Sequence, residues 1–203
     1  MLDELGLKYG TDKSSRKHNY LNIYEKHLNH LHHQKINLLE IGVKKGHSLK
    51  MWCDYFHNGM VYGIDITKAA FKYTNEKRIK VFLGDQSDAK FLTQLYNKIG
   101  KIDVIIDDGG HTMLQQQVSF QTLFPLLDSN GIYIIEDLHT SYHKEFRTNT
   151  KKTTIDFLKD IVDDVMLWGT NYRTKTRPTK PSYYEKHIAS MTFVKSCVII
   201  QKR

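Results

Sequence analysis

Apolar positions along the chain switch between two periods, short solid runs of strand length and longer stretches at helical spacing. Residues 36–43 (INLLEIGV) form a short apolar run, interrupted at Asn37 and Glu40 and followed by a glycine-containing turn, the pattern of a buried parallel strand. Leu49, Trp52, Cys53 and Phe56 then recur at helical spacing between Ser48 and Phe56. Further strands are predicted at 61–66, 79–85, 101–108 and 131–137, the last opened by a turn from Asp128 to Gly131. Between them, Ser87 and Asp88 can cap a helix carrying Leu92, Leu95 and Tyr96, and a second helix is predicted over 113–127. A helix over 153–168 lines up Ile155, Leu158, Ile161, Val162 and Val165 on one face. Uninterrupted alternation of strand and helix predicts an α/β fold, a mostly parallel sheet with helices on both faces. Two β-rich runs, 189–194 and 197–201, are parted only by Lys195 and Ser196. They predict an antiparallel hairpin that closes a sheet of seven strands. Residues 138–152 and 169–187 are polar and aperiodic, and are expected to be mobile loops over the acceptor side of the sheet.

The chain has 203 residues and 23.8 kDa, the size of one domain over 1–203, with residues 1–34 as a helical cap region. No apolar run reaches 18 residues, which predicts no membrane span, and the polar start MLDELGLKYGTDK does not read as a signal peptide. Cys53 and Cys197 lie far apart in apolar runs and read as reduced core residues of a cytoplasmic protein. A net charge of +8 is compatible with nucleic acid, phosphorylated substrates or no special partner. The basic stretch 172–186 interleaves Arg173, Lys175, Arg177, Lys180 and Lys186 with Tyr172, Tyr183 and Tyr184. It could track phosphates and stack bases, or grip the diphosphate of a nucleotide-linked sugar. A nucleic-acid role is the disfavoured alternative, and a homo-oligomer stays open.

Candidate chemistry collects at the carboxyl ends of the predicted strands. The first ends Glu40-Ile-Gly42-Val-Lys-Lys-Gly46 before a helix, so glycines allow close backbone approach and the helix presents free N–H groups. The GxGxxG spacing of dinucleotide sites is absent, which counts against a nicotinamide-dependent oxidoreductase. A leading acid with G-x-x-x-G suits a cofactor with an amino-acid end and no phosphates, such as S-adenosylmethionine. Asp65 is placed to accept from ribose hydroxyls, and Asp85 with Gln86 to meet an adenine edge. Strand four ends Asp107-Asp108-Gly-Gly-His111 and strand five Glu136-Asp137-Leu-His139. Carboxylates converging there repel unless a cation bridges them, and all-oxygen ligands favour Mg²⁺, with Mn²⁺ or Ca²⁺ as alternatives. His111, on a glycine turn, is a candidate general base. His27, His30, His32 and His33 resemble a metal patch, but with no acid or cysteine beside them they read as a solvated helix end.

The stretches KYGTDKSSRKHNYLNIYEKHL, LLEIGVKKGHSLKMWCDYF, VYGIDI, GDQSD, IIDDGGH, FPLL and GIYIIEDLHTSY, spread from residue 8 to 142, resemble the metal-dependent sugar O-methyltransferases of the mycinamicin-type macrolide pathway and related glycan methyltransferases. The resemblance implies a Rossmann-like class I methyltransferase fold, S-adenosylmethionine and Mg²⁺. It assigns Asp108, Glu136 and Asp137 to the metal and His111 to the base. Thr11, Tyr20, Glu40, Gly42, Ser48, Asp65, Asp85, Gln86 and Asp108 fall to the cofactor, and His139 and Tyr142 to an acceptor with a sugar hydroxyl. A catechol-type small-molecule O-methyltransferase is the runner-up, since it uses the same metal logic on an aromatic diol. The glycine loop reads KKGHS, where macrolide members carry a longer glycine-rich insertion, and their extra N-terminal domain is not expected here.

Overall fold

The computed structural model describes residues 1–73, 76–166 and 181–203. Helices α1 (Leu2–Tyr9) and α2 (Leu21–Leu28) precede a run of β1 (Asn37–Ile41), α3 (His47–Tyr55), β2 (Met60–Asp65), β3 (Ile79–Leu83), α4 (Ala89–Ile99), β4 (Val104–Asp107), α5 (Met113–Leu123) and β5 (Ile132–Ile135). After them come α6 (Thr154–Met166), α7 (Tyr183–His187) and the hairpin β6 (Ile188–Val194) and β7 (Cys197–Lys202). The seven strands form one sheet in the order β3-β2-β1-β4-β5-β7-β6. β1 to β5 pair in parallel, while β7 pairs antiparallel with both β5 and β6. The predicted architecture is therefore the observed one.

The near-continuous apolar runs of β1, β4 and β5 are explained by two cores, one on each face. Leu38, Val61, Val104, Ile106 and Ile134 face α1, α2 and α3, packing against Leu21, Tyr24 and Trp52. Their neighbours Leu39, Ile64, Ile105 and Ile135 face α4, α5 and α6, against Leu92, Phe120 and Leu158. Cys53 and Cys197 are buried free thiols. Asp88 caps α4, accepting from the N–H groups of Lys90 and Phe91, whereas Ser87 turns back to Asp85. The helix predicted over 113–127 ends at Leu123, and Leu127 finishes it as a hydrogen-bonded turn.

The two predicted loops differ from expectation in different ways. Residues 138–152 begin with short 3-10 turns, Leu138–Tyr142 and Lys144–Phe146, in which Thr140 and Ser141 are buried. Residues 169–180 of the second segment, and with them Tyr172, Arg173, Lys175, Arg177 and Lys180 of the basic stretch, lie outside the described residues. Its end forms α7, whose Tyr184 stacks on Phe120 at 5.7 Å, so this part packs on α5 rather than over the strand ends. Among the described residues no helix is long and apolar enough to cross a membrane.

Candidate active site

Strand order reverses between β1 and β4, the point in an open α/β sheet where ligands bind outside the carboxyl ends. Side chains alternate faces along each strand, so Glu40 shares its face with Leu38, and Glu136 with Ile134. Both carboxylates, with Asp108 at the end of β4, thereby turn toward the side of the sheet where the loop after α1 returns. That loop is Gly10-Thr-Asp-Lys13, released from α1 by Gly10 at φ 71°. It delivers Lys13, whose ammonium is 2.8 Å from Glu136 Oε1, 3.7 Å from Glu40 Oε1 and hydrogen-bonded to Asp108. Lys13 is 1% exposed. Such a burial is tolerable only because opposite charges surround the ammonium, and they hold its pKa well above the usual lysine value despite desolvation.

Three carboxylates around one ammonium leave an excess of negative charge. Burial, reinforced by Asp108, pushes the Glu136 carboxyl well above its usual range even with Lys13 beside it. Burial raises Glu40 to about 7, against the pull of Lys13 and the hydrogen bond from Ser48 Oγ at 2.8 Å. Glu40 is wholly buried and does not line the cleft next to it; it fixes Ser48 and Lys13, which is a different position from the cofactor contact expected of it. Asp107 faces the opposite way. It accepts from Gln86 Nε2 at 2.9 Å, Tyr133 at 3.2 Å and Ser119, and burial raises it to about 6.

A cleft of about 840 Å³ opens over the strand ends. Thr11, Gly42, Ser48, Asp65, Asp85, Gln86, Asp108, His111, Asp137 and His139 all line it. Gly42, at φ 92°, passes so close to β4 that an added Cβ would sit 2.1 Å from the Asp108 carbonyl oxygen. Asp65 holds the turn from below: its Oδ2 accepts from the N–H groups of Val43 and Lys44 at 3.0 and 2.9 Å, and its Oδ1 accepts from Thr67. These backbone and hydroxyl donors keep its pKa below the usual value although burial opposes them. Gln86 is engaged at both ends, donating to Asp107 and accepting from Gly110 N–H at 2.8 Å.

His111 has φ 58° and Asp137 φ 55°, left-handed conformations in non-glycine residues. Such strain persists where surrounding contacts enforce it, and it gathers at functional sites. Here Thr140 Oγ1 donates to the His111 carbonyl at 3.0 Å, locking the two strand ends together. The outcome is that His111 Nε2 lies 3.5 Å from Asp137 Oδ2 and 3.9 Å from Asp108 Oδ1. Asp108, His111 and Asp137 can each offer a ligand atom within 4.8 Å of the others. The Nδ1 of His111 is buried without a hydrogen-bond partner. Beside this group lies a second cleft of about 490 Å³, where Tyr20 and Tyr142 meet Phe193, while His139 and Asp137 line both clefts. Tyr20 thus stands with the expected acceptor residues rather than along the glycine loop. His139 Nδ1 is 2.6 Å from Ser196 Oγ, and Tyr142 is 73% exposed.

Lys13 is the residue that sequence reasoning missed. Its only signal was a surplus of acids with no cation assigned among them, in a chain whose GTDK motif offered one.

Residues 39–138 match a family model described as a methyltransferase domain. The matched segment is just under half of the chain. It spans β1 to the first residue after Asp137, and so holds the glycine loop, Asp65, Asp108, His111 and the acid pair. Over 98% of its length the chain is 35% identical to 8-demethyl-8-alpha-L-rhamnosyl tetracenomycin-C 2'-O-methyltransferase of Streptomyces olivaceus, covering 54% of that protein. It is 30% identical over 99% of its length to mycinamicin VI 2''-O-methyltransferase of Micromonospora griseorubida, covering 52%. Among solved structures, the MycE methyltransferase of the mycinamycin pathway in complex with Mg and SAH superposes on 99% of the chain at a TM-score of 0.89 and 30% identity, covering 53% of that chain. The chain therefore spans about half the length of the relatives it matches. A caffeoyl-CoA O-methyltransferase fold from Staphylococcus aureus, 14% identical at a TM-score of 0.56, shares the fold alone.

Proposed function

We propose that this chain transfers the methyl group of S-adenosylmethionine to a hydroxyl of a sugar, carried on a glycoside, a nucleotide sugar or a surface glycan, with Mg²⁺ as the working ion. The observation that carries the reading is the pair of carboxylates Asp108 and Asp137 facing the His111 ring at the mouth of the glycine-loop cleft. Sugar O-methyltransferases match nearly the whole chain, and the similar MycE structure is a complex with Mg and SAH, which supports the same pairing here.

The residues fit both groups. Asp108 and Asp137 stand on either side of His111 at the rim, where a divalent ion would relieve their repulsion. Asp108 and Asp137 would hold it from the cleft, with Glu136 as the third ligand only if its carboxylate turns from Lys13, and oxygen donors suit Mg²⁺. When bound, the ion would polarise a sugar hydroxyl and favour its alkoxide character. The turn from Gly42 to Ser48 would cradle the cofactor, with Asp65 toward its ribose, Asp85 and Gln86 toward its adenine, and Thr11 and Asp108 toward its amino-acid end. A sulfonium methyl group is already activated, so the chain's task is alignment and removal of one proton. His111 takes that proton from the acceptor hydroxyl as the oxygen–carbon bond forms and the carbon–sulfur bond breaks, the sulfur keeping the electron pair. His139, Tyr142 and Tyr20 would border the acceptor in the second cleft.

The test is a mass-spectrometric screen for transfer of one methyl group onto glycosides, nucleotide sugars and glycans, with catechol as a separate arm. Methylated sugar that disappears in excess EDTA is the expected result. Methylation of catechol without any sugar product overturns the acceptor class, and full turnover in EDTA overturns the metal role.

A further inference from the structure

The histidines at the end of α2 acquire a companion through the fold. His57, in the turn after α3, comes beside His32 and His33 in the connector to β1, with ring centroids 5.5 and 5.4 Å away. His32 and His33 themselves are 4.4 Å apart. One nitrogen from each ring can be chosen so that all three lie within 4.8 Å of one another. The spacing is set by backbone rather than by chance side-chain contact. Asn58 Nδ2 donates to the His33 carbonyl at 3.1 Å, and Met60 N–H donates to the Ile36 carbonyl at 2.8 Å. These bonds clamp the connector to the turn at the start of β1 and β2, whose first residues Asn37 and Met60 are register partners. The cluster thus sits at the amino-end rim of the sheet, opposite the carboxyl-end rim that carries the Asp108–His111–Asp137 group.

His32 is the half-buried member. Its ring leans on Tyr55 at 4.5 Å, and its Nδ1 is buried without a hydrogen-bond partner. A buried, unsatisfied imidazole nitrogen calls for an explanation, and a missing ion is one. Burial and the two neighbouring imidazoles hold the His32 pKa below its ordinary value, against a backbone hydrogen bond with Tyr55 and the charge of Glu25. The carboxylate that bears on His32 is Glu25, already engaged by Leu2 N–H at 3.1 Å and by the N-terminal ammonium at 3.6 Å. The donor set is therefore three imidazoles. It suits a borderline transition ion such as Zn²⁺, with water in the fourth position, and not Mg²⁺.

We propose that His32, His33 and His57 form a second metal site, selective for Zn²⁺ over Mg²⁺, which staples the α2–β1 connector to the turn after α3. Zn–N bonds of about 2.0–2.1 Å require the rings to draw together, and His33 and His57 are the exposed members that would have to turn inward.

The test uses the full chain, stripped with chelator and then held in saturating Mg²⁺ so that the oxygen-rich site is occupied. Calorimetric titration with Zn²⁺ should show one equivalent bound, and Zn²⁺ should raise the thermal midpoint. His57→Ala and His33→Ala, both exposed changes, should keep the wild-type circular dichroism and weaken that equivalent by at least about tenfold. An absence of Zn²⁺ binding to the wild type overturns the proposal. So does Zn²⁺ binding that is unchanged in both variants, or that is removed by Asp137→Asn instead.

Discussion

Lys13 carries a heavier load than any other single side chain at the strand ends. It lies between Glu40, Asp108 and Glu136, and only its ammonium separates three carboxylates that are themselves largely out of water. Lys13→Met should destabilise the protein by about 3–5 kcal/mol, since it leaves buried charge uncompensated. Urea unfolding in the absence of ligands measures this, and a loss below about 1 kcal/mol would show that the carboxylates protonate without consequence. His111 makes the opposite prediction. Its side chain touches Asp108 and Asp137 but holds no element in place, so His111→Ala should keep the unfolding midpoint, Mg²⁺ affinity and cofactor affinity. Turnover should fall on the order of 10²–10⁴, the usual contribution of a positioned base, as read from kcat with saturating substrates. Asp65→Ala should weaken S-adenosylmethionine binding by roughly 1.5–3 kcal/mol in calorimetry, because the same carboxylate accepts from Val43 and Lys44 and so shapes the loop that would cradle the cofactor.

At the scale of elements, the turn from β1 to α3 is held by closeness to β4. Gly42→Ala combines a positive φ of 92° with a Cβ 2.1 Å from the Asp108 carbonyl, a backbone atom that cannot swing aside. The strands must separate or the turn must rebuild. Loss of S-adenosylhomocysteine binding is expected together with a stability cost above the roughly 1–3 kcal/mol of backbone strain alone. Gly100→Ala is the matched comparison. Gly100 also has a positive φ, 79°, at the end of α4, but nothing lies within 4 Å of its added Cβ. It should cost about 1–3 kcal/mol of backbone strain and leave ligand binding intact. Equal binding losses in both variants would mean that strain, and not the approach of β1 to β4, governs the cleft.

For the molecule as a whole, the two strand ends that carry the chemistry are joined by the β4–β5 ladder, whose last bond runs from Glu136 N–H to the Asp107 carbonyl at 3.0 Å, and by side chains: Thr140 to His111, Lys13 to both carboxylate strands, and Gln116 Nε2 to the Glu136 carbonyl at 2.9 Å. Ligands that bridge these ends should therefore stabilise the whole fold. With S-adenosylhomocysteine at a hundred times its Kd, unfolding free energy should rise by about 2.7 kcal/mol, and Mg²⁺ should add to this when an acceptor sugar is present. Differential scanning calorimetry with each ligand alone and together checks it. A midpoint indifferent to both would separate the cleft from the cooperative unit.

The order of strands and helices was legible in the chain because a sheet buried on both faces needs solid apolar runs, and these stand out against the 3.6-residue spacing of the covering helices. The carboxyl-end placement of Gly42, Asp65, Asp108, His111 and Asp137 followed from the same order, since parallel strands put all their ends on one rim. What alternation within a strand does to individual acids depended on the packed fold. Asp107 and Asp108 are adjacent in sequence, yet one turns to Ser119 and Tyr133 and the other to Lys13, because successive side chains leave a strand on opposite faces. Glu40 became a buried brace for Ser48 because its face of β1 is covered by α3. Lys13 and His57 owe their partners to contacts between segments distant in sequence. Local periodicity carries no record of such pairings; loop returns and packing between elements decide them.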